Sequence, residues 1–361
     1  MNRVLQLRFR LPKQDIVIMQ GGMFVPGITI RDVAKLAGVS TATVSRVING
    51  NYYVSPEIAA KVRSAIEELN YFPNSVARSL KSDNTHTIGV LVSDISNNYF
   101  TTIAKIVEDI VSPENYNIIM CSTEDDKERE YNYLKLLIEK KVDGLIINTT
   151  GENDDFITSI SHRIPVVLIN RRVYNTKFSG DFIDSSNVDG VKILTFHLVS
   201  MGHRKIGIIN GDLSVSTGKE RYQGFVEAMA GINITVDLNY PYSYCGRFTA
   251  ESGYDGAAYL LGLEDPPTGI VIMNNSLTIG VMKYLREKNI MVPDNISIAS
   301  YGNIDNIEVM YVQPSIVTLN AKSVGDKAGN MILERMRGSV FVNREVIFTP
   351  QLTVGNTVLR I

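Results

Sequence analysis

From Thr87 onward, short apolar runs alternate with longer segments whose apolar residues recur at helical spacing. A β-rich run followed by a helix-length segment, repeated along a chain, is typical of right-handed βαβ units in parallel sheets. The predicted strands are Thr87–Val92, Asn117–Cys121, Gly144–Asn148, Pro165–Asn170, Asp181–Ile183, Lys205–Ile209, Gly269–Met273, Ile296–Ser300 and Ile316–Leu319. The predicted helices are Thr101–Val111, Lys127–Lys140, Val188–Met201, Lys219–Met229, Ala250–Leu261, Leu277–Lys288 and Ala321–Arg337. Because nine strands exceed one ordinary doubly wound sheet, the pattern predicts two successive α/β lobes with a ligand cleft at the carboxyl ends of their strands.

Residues 28 to 70 have a different pattern, with three helical segments and no strand. Thr29 is placed to cap the first helix together with Asp32, Ser40 to cap the second, and Ser55 to cap the third. The apolar positions that would form one small core are Ile30, Val33, Ala34, Ala37, Val44, Val47, Ile48, Ile58, Val62, Ala65 and Leu69. The segment is therefore predicted to be a three-helix, all-α module.

The first two of these helices are joined by a short turn that contains Gly38. Two helices with such a turn and a short second helix form the helix-turn-helix pattern, in which the second helix enters the DNA major groove. Thr41 and Ala42 begin the second helix, and their methyl groups suit contact with thymine, while Arg46 one turn later suits guanine. The same spacing also fits an αα-hairpin inside a larger helical domain, so both interpretations stay open at this point.

Composition and charge describe an ordinary globular protein with an uneven charge distribution. The chain has 361 residues, of which 44% are hydrophobic and 20% charged, and this length indicates two or three domains. No apolar run approaches the roughly 18 residues that a membrane span needs. Residues 1–84 hold 11 Lys and Arg against 6 Asp and Glu, whereas residues 85–361 hold 25 against 32. A basic head on an acidic body indicates a polyanionic partner for the head.

Residues with catalytic or metal-binding chemistry are few and scattered. The two cysteines, Cys121 and Cys245, form neither a disulfide framework nor a metal cluster, which favours a cytoplasmic location. The histidines lie far apart, at His86, His162, His197 and His203. The chain has no P-loop, no dinucleotide-binding glycine motif and no serine nucleophile elbow. The sequence therefore predicts a protein that is not an enzyme and has no cofactor and no metal site.

Several stretches closely resemble bacterial repressors of the lactose/galactose-repressor family. "ITIRDVAKLAGVSTATVSRVING" (28–50) and "VSPEIAAKVRSAIEELNYFPNSVARSLKSDNTHTIGVLV" (54–92) resemble the start of those proteins. The likeness continues through "VDGLIIN" (142–148), "GHRKIGIING" (202–211), "ERYQGF" (220–225), "ESGYDGA" (251–257) and "VPDNISIASYGN" (292–303). It extends from residue 28 to about residue 350 in the family's order, and it implies a transcriptional repressor of a carbohydrate-utilisation operon.

The resemblance implies a homodimer that places two recognition helices in successive major grooves of a pseudo-palindromic operator. In this interpretation Thr41 and Ala42 are the variable base-reading pair, and Arg46 makes a more constant base contact. The residues assigned to DNA contact in the module are Thr29, Ser40, Thr41, Ala42, Thr43, Ser45, Arg46 and Asn49.

The segment "NSVARSLK" (74–81) looks like the family's hinge, which folds into a helix on specific DNA and enters the minor groove. Leu80 would be the apolar wedge between base pairs. Ala77 is small enough for two hinge helices to pack together, and Arg78 and Lys81 are placed to meet phosphates. The alternative for Leu80 is a linker residue that covers the edge of the core.

The remainder resembles the periplasmic sugar-binding fold, whose two lobes close on a small ligand. The implied effector-binding residues are Asn98, Tyr99, Phe100, Asn170, Arg171, Arg221, Phe248, Asn274 and Asn275. Aromatic rings suit the apolar faces of sugars, and Asn and Arg suit their hydroxyl groups. The family commonly has carboxylates where this chain has Asn170, Asn275 and Gly302. The resemblance implies a sugar or an anionic sugar derivative as the effector. With fewer acids, Arg171, Arg172 and Arg221 would be left unpaired, which leads to the hypothesis that the effector carries a carboxylate or phosphate.

The implied domain organisation has four parts. An extension (1–27) precedes the helix-turn-helix domain (28–74), a hinge (75–84) and an effector-binding and dimerisation domain (85–361). The amino-terminal lobe is expected at about 87–186 and 320–348, and the carboxyl-terminal lobe at about 187–319 and 349–361. The extension is interpreted either as a flexible basic arm or as a product of start-site choice, with Met23 or Val25 as the alternative start.

Overall fold

The computed structural model describes residues 28–50, 52–71, 84–304, 306–339 and 342–361, and of Asn49 the backbone only. The chain divides into two compact units, with the boundary between residues 81 and 82. The first unit contains three helices in its described part: α1 (Ile30–Ala37), α2 (Thr41–Asn49) and α3 (Pro56–Glu68). No strand occurs among the described residues of this unit, as the sequence predicts.

Caps and a left-handed glycine define the helix boundaries of the first unit. The backbone N–H of Thr29 donates to the Asp32 carboxylate at 2.8 Å, and Gly38 ends α1 with φ 67°, a conformation that glycine adopts without steric cost. The Ser40 hydroxyl accepts the Thr43 N–H at 3.2 Å and caps α2. Val33, Ala34, Val44, Val62 and Ala65 form the buried core, with other apolar residues around them. Of the predicted core positions, Ile58 is only half-buried and lies outside this cluster.

The second unit contains two six-stranded sheets with helices packed on them. Its strands are β1 (Thr87–Val92), β2 (Asn117–Ser122), β3 (Gly144–Ile147), β4 (Val166–Ile169), β5 (Asp181–Ser185), β6 (Ile206–Asn210), β7 (Ser243–Cys245), β8 (Gly269–Ile272), β9 (Ser297–Tyr301), β10 (Ser315–Thr318), β11 (Glu345–Phe348) and β12 (Gln351–Thr353). Its helices are α4 (Asn98–Val111), α5 (Lys127–Glu139), α6 (Asp154–Ser161), α7 (Asn187–Ser200), α8 (Ser216–Ala230), α9 (Ala250–Leu261), α10 (Asn275–Glu287) and α11 (Ala321–Met336). The first sheet has the order β11-β5-β4-β3-β1-β2, and the second has β12-β10-β9-β8-β6-β7.

The strand pairs are parallel except β10 with β12. All residues of β3, β4, β5, β6, β8 and β9 are buried, which explains the near-continuous apolar runs of β3, β4, β6 and β8. The chain crosses between the lobes three times, after β5, after β10 and after β11, since β11 pairs with β5 whereas β12 pairs with β10. The two-lobed α/β prediction is therefore confirmed.

Each predicted strand is present with ends shifted by at most two residues, and each predicted helix with ends shifted by at most three. The predicted list lacks helix α6 and strands β7, β11 and β12. The three strands are edge strands of three or four residues, and exposed positions interrupt their apolar pattern. A buried run of the kind that identifies a central strand is therefore missing from each of them.

Candidate functional site

The exposed start of α2 presents the residues predicted to contact DNA. Thr41, Ala42 and Arg46 are exposed, whereas the hydroxyls of Ser40 and Thr43 lie 2.9 Å apart within the helix cap. Thr29 is exposed, but its hydroxyl donates to Asp32 at 2.7 Å and so serves the cap of α1. An exposed, capped helix amino terminus with one arginine a turn later can lie in a major groove.

Some of the predicted DNA contacts cannot be placed on this surface. Ser45 is half-buried on α2. The hinge residues Ala77, Arg78, Leu80 and Lys81 lie outside the described residues, as does the side chain of Asn49 and the extension 1–27.

A cleft of about 550 Å³ lies between the two lobes of the second unit, at the carboxyl ends of strands from both sheets. This is where parallel α/β sheets bind small ligands, and the volume is within the usual range for such pockets. Of the predicted effector-binding residues, those that line the cleft are Tyr99, Phe100, Asn170, Arg171, Arg221, Phe248, Asn274 and Asn275. Lining residues that the sequence did not single out include Ser93, Asn97, Asn148, Asp125, Arg247 and Asn303.

Asn98 does not line the cleft, and its neighbour Asn97 takes that position. Asn97 is the residue that caps α4, so its side chain points back over the helix start and accepts the Tyr99 N–H at 3.1 Å. Asn98 begins the helix on its exposed side, where its side-chain oxygen accepts the Thr101 hydroxyl at 3.1 Å. The prediction of Asn98 as a cleft residue is wrong by one position, because the loop-to-helix boundary decides which side chain faces inward.

A reciprocal pair of amides joins the two lobes across the cleft. Asn275 Nδ2 donates to Asn97 Oδ1 at 3.0 Å, and Asn97 Nδ2 donates to Asn275 Oδ1 at 3.3 Å. A second link runs from Arg247 Nη2 to the Glu124 carbonyl at 2.9 Å. Across the cleft the lobes are therefore joined by hydrogen bonds that a ligand could replace.

The three arginines expected to be unpaired differ from one another. Arg171 is buried and donates to both carboxylate oxygens of Asp125, at 2.5 and 3.1 Å. Arg172 pairs with Glu345 at 2.6 Å and with Glu220 at 3.4 Å, and it does not line the cleft. The expectation of unpaired charge is therefore wrong for both, because acids distant in the sequence supply the counter-charges. For Arg221 the expectation of an unpaired charge holds in part.

Arg221 is buried at the floor of the cleft and makes no ion pair with a described carboxylate. Its Nε donates to Asn187 Oδ1 at 2.9 Å and its Nη1 to the Met273 carbonyl at 2.5 Å. Its guanidinium carbon lies 4.1 Å from the Tyr301 ring centroid and 5.6 Å from that of Phe248. Burial lowers the pKa of this guanidinium below its ordinary value. The side chain is held rigidly and keeps its charge facing the cleft.

A buried polar network connects Arg221 to the opposite lobe through Asp184. Asn170 Nδ2 donates to Tyr99 Oη at 2.9 Å and lies 3.5 Å from Asp184 Oδ1, while Asn187 Nδ2 donates to Asp184 Oδ2 at 2.8 Å. Burial raises the pKa of Asp184 to about 7, although the Ser185 N–H and Arg221 favour its ionised form. Sequence reasoning missed Asp184, near the end of β5, and Asn187, the first residue of α7, because both lie in a polar run, "DSSN", that resembles an ordinary loop.

The raised pKa of Asp184 predicts a pH-dependent stability. Because its pKa in the folded chain is about 7 against 3.8 for the isolated group, its contribution is fully present below about pH 3.8 and is lost as pH rises through about 7. The unfolding free energy of the wild type, relative to Asp184→Asn, should therefore fall between about pH 4 and pH 8. Urea unfolding of both proteins at several pH values measures this difference. A difference that does not change with pH would contradict the assignment.

One acceptor at the floor of the cleft has no partner. Asn148 is 1% exposed and follows β3, and its Nδ2 donates to the Ile169 carbonyl at 3.2 Å. Its Oδ1 has no hydrogen-bond partner among the described residues. A buried acceptor without a partner is costly, so it favours a ligand that supplies an O–H or N–H donor there. A carboxylate or phosphate oxygen could not do so.

Two further observations limit the chemistry of the described residues. No group of three or more His, Cys, Asp or Glu within them could hold a metal ion. No helix in the described part of the chain is long and apolar enough to cross a membrane.

The fold and the site together define a class of protein that joins a helix-turn-helix module to a two-lobed ligand-binding domain. The family described as "Bacterial regulatory proteins, lacI family" matches residues 29–74, and the family described as "Periplasmic binding protein-like domain" matches residues 195–358. The HTH-type transcriptional repressor PurR of Haemophilus influenzae strain PittEE is 36% identical over 338 residues, covering 91% of this chain and 98% of that protein. PurR of Mannheimia succiniciproducens strain KCTC 0769BP / MBEL55E is 33% identical, covering 92% of this chain and 99% of that protein.

Solved structures agree with this likeness. The lac repressor dimer bound to operator and the anti-inducer ONPF has a TM-score of 0.78 at 24% identity, covering 92% of this chain and 99% of that chain. A putative ribose operon repressor from Burkholderia thailandensis has a TM-score of 0.67 at 26% identity, covering 74% of this chain and 98% of that chain. The chain belongs to the lacI family of bacterial regulatory proteins. It is a DNA-binding transcriptional repressor and not an enzyme.

Proposed function

We propose that this repressor controls a carbohydrate-utilisation operon and that a neutral sugar in the cleft between its lobes sets its affinity for the operator. The observation that carries this proposal is the charge balance of the cleft. Arg171 is already neutralised by Asp125, and Arg172 lies outside the lining. The lining holds three arginines, Arg171, Arg221 and Arg247, and three acids, Asp94, Glu124 and Asp125. A neutral ligand leaves this balance unchanged, whereas an anion at Arg171 would have to compete with Asp125.

The lining chemistry suits hydroxyl groups. Six asparagines line the cleft, at positions 97, 148, 170, 274, 275 and 303, and a primary amide can both donate to and accept from a hydroxyl. The unpartnered Asn148 Oδ1 needs a donor, which a hydroxyl supplies. Tyr99, Phe100 and Phe248 provide apolar surface for the ring face of a sugar. The similarity to a putative ribose operon repressor at 26% identity supports the same ligand class.

On the DNA side, the proposed unit is a homodimer that acts in the cytoplasm on a pseudo-palindromic operator. Thr41 and Ala42 would read bases at each half-site, and Arg46 would bind a guanine. The exposure of all three side chains at the start of α2 supports this assignment. A ligand bound in the cleft would compete for the hydrogen bonds between the side chains of Asn97 and Asn275.

A second candidate effector is an anionic sugar, either a phosphate or a sugar acid. One observation favours it, namely that Arg221 makes no ion pair with a described carboxylate and lines the cleft. Arg221 alone does not separate the two candidates, because a buried arginine can bind a hydroxyl as well as an anionic oxygen.

Titration calorimetry with neutral pentoses, hexoses and disaccharides, and with their phosphates and aldonates, separates the two candidates. An operator selected from random duplexes should then be titrated with and without the ligand that binds, over a range of salt concentrations. We expect tight binding of a neutral sugar, a shift in operator affinity and a steep salt dependence. Binding of phosphates alone would favour the anionic effector, and absence of sequence-selective DNA binding would contradict the DNA assignment.

A further inference from the structure

Arg46 on the recognition helix lies over an aromatic ring that follows it in the chain. Helix α2 ends at Gly50, which adopts φ 68° and donates its N–H to the Arg46 carbonyl at 2.9 Å. Two residues after this left-handed glycine, Tyr52 lies with its ring centroid 5.4 Å from the Arg46 guanidinium carbon. The contact joins residues six positions apart, so helical spacing does not predict it.

The contact leaves the arginine available to a partner outside the chain. Arg46 is exposed, and its guanidinium makes no hydrogen bond or ion pair with a described residue. An aromatic ring interacts with the face of a guanidinium, whereas a guanine is bound through the N–H groups along its edge. This cation–π contact therefore restricts a flexible side chain without forming a hydrogen bond to the donors that would read a base.

We propose that Tyr52 is a positioning residue for base recognition, which holds the Arg46 guanidinium so that its edge meets a guanine in the major groove. This inference rests on the proposed role of Arg46 as a base contact. A pre-positioned arginine loses less conformational freedom on binding than a free one, and the benefit applies only to the base pair that Arg46 reads. Tyr52 therefore contributes to specificity at one base pair in each half-site.

The neighbouring tyrosine provides a matched control. Tyr52 is 70% exposed and Tyr53 is 90% exposed, so neither supplies much of the core. Among the described residues, Tyr53 lies over no lysine or arginine. Replacement of either ring removes a similar exposed aromatic group, but only Tyr52→Ala removes the cation–π contact with Arg46.

The experiment uses the full-length chain and an operator selected from duplexes with a randomised central segment. Affinity is measured by fluorescence anisotropy on that operator and on a duplex changed only at the G·C pairs whose preference Arg46→Ala abolishes. We expect Tyr52→Ala to lower affinity for the selected operator by about two- to fivefold for each half-site and to reduce discrimination between the duplexes. Tyr52→Phe, which keeps the ring, should retain the discrimination, and so should Tyr53→Ala. Tyr52→Ala should add nothing in an Arg46→Ala background.

Three results would overturn the inference. In the first, Tyr52→Ala loses the same affinity on both duplexes. In the second, Tyr52→Phe discriminates between the duplexes as poorly as Tyr52→Ala. In the third, Tyr52→Ala has its full effect in the Arg46→Ala background. A failure of the proposed function looks different, because then no sequence is enriched or Arg46→Ala changes no base preference. Because the role of Tyr52 depends on base recognition by Arg46, either of these outcomes would also contradict the inference about Tyr52. Circular dichroism melting of each variant separates these outcomes from loss of folding.

Discussion

Replacement of Asp181 by alanine is expected to lower the free energy of unfolding of the ligand-binding unit by about 3–5 kcal/mol. Asp181 is fully buried at the start of β5, and its Oδ1 accepts Arg335 Nη2 at 2.6 Å while its Oδ2 accepts Arg344 Nη2 at 2.7 Å. Burial alone would raise the pKa of this carboxyl, but the two arginines outweigh it and hold the pKa below its ordinary value. Removal of the acid would leave the buried Arg335 without its carboxylate partner, while Arg344 would keep only its ion pair with Glu334.

The position of this cluster explains the size of the effect. Arg335 lies on α11, and Arg344 precedes β11, so both belong to the segment that returns from the second sheet to the first. Asp181 therefore fastens the returning chain to β5, next to the β5–β11 pairing that begins with Phe182 and Glu345.

Urea unfolding followed by circular dichroism measures this prediction. Asp265→Ala is the matched control, because Asp265 also pairs with a cation, Lys205 at 2.5 Å, but its side chain is 68% exposed. The control should cost less than about 1 kcal/mol. If the two substitutions destabilised the protein equally, the Asp181 cluster would not be the structural anchor described here.

The sheets were predictable because the central strands are short apolar runs that need burial on both faces. β3, "GLII", and β8, "GIVI", are fully buried and follow this pattern directly. β11 and β12 were not predictable in the same way, since they are edge strands whose place in opposite lobes depends on a tertiary crossover. Helix α6 has only eight residues and begins with two aspartates, so its sequence, "DDFITSIS", resembles a loop.

The cleft was predictable in position but not in charge. Residues after the central strands, such as Asn170 and Asn274, lie at the carboxyl edges of the sheets as the topology requires. The state of Arg171 depends on Asp125, which is 46 residues earlier in the chain. No local pattern encodes such a pairing, so the sequence suggested an electropositive cleft where the structure has a neutralised arginine.

Replacement of Arg221 by leucine is expected to weaken effector binding by about 100-fold or more, because the substitution removes a buried guanidinium of the cleft lining that can donate hydrogen bonds to sugar hydroxyls. Loss of its bonds would also leave Asn187 Oδ1 and the Met273 carbonyl without these donors, at a cost of about 1–3 kcal/mol in stability. Operator affinity in the absence of effector should change by less than about threefold, since the DNA-binding residues belong to a separate unit.

Calorimetry with the sugar that binds the wild type measures the loss, and anisotropy on the selected operator measures the retained DNA binding. The matched control is Arg172→Leu, which removes an arginine that pairs with Glu345 and Glu220 outside the cleft lining. This control should alter effector affinity by less than about threefold, because its partners are partly exposed to solvent. If Arg221→Leu bound the sugar as tightly as the wild type, Arg221 would have only a structural role, through its hydrogen bonds to Asn187 and Met273.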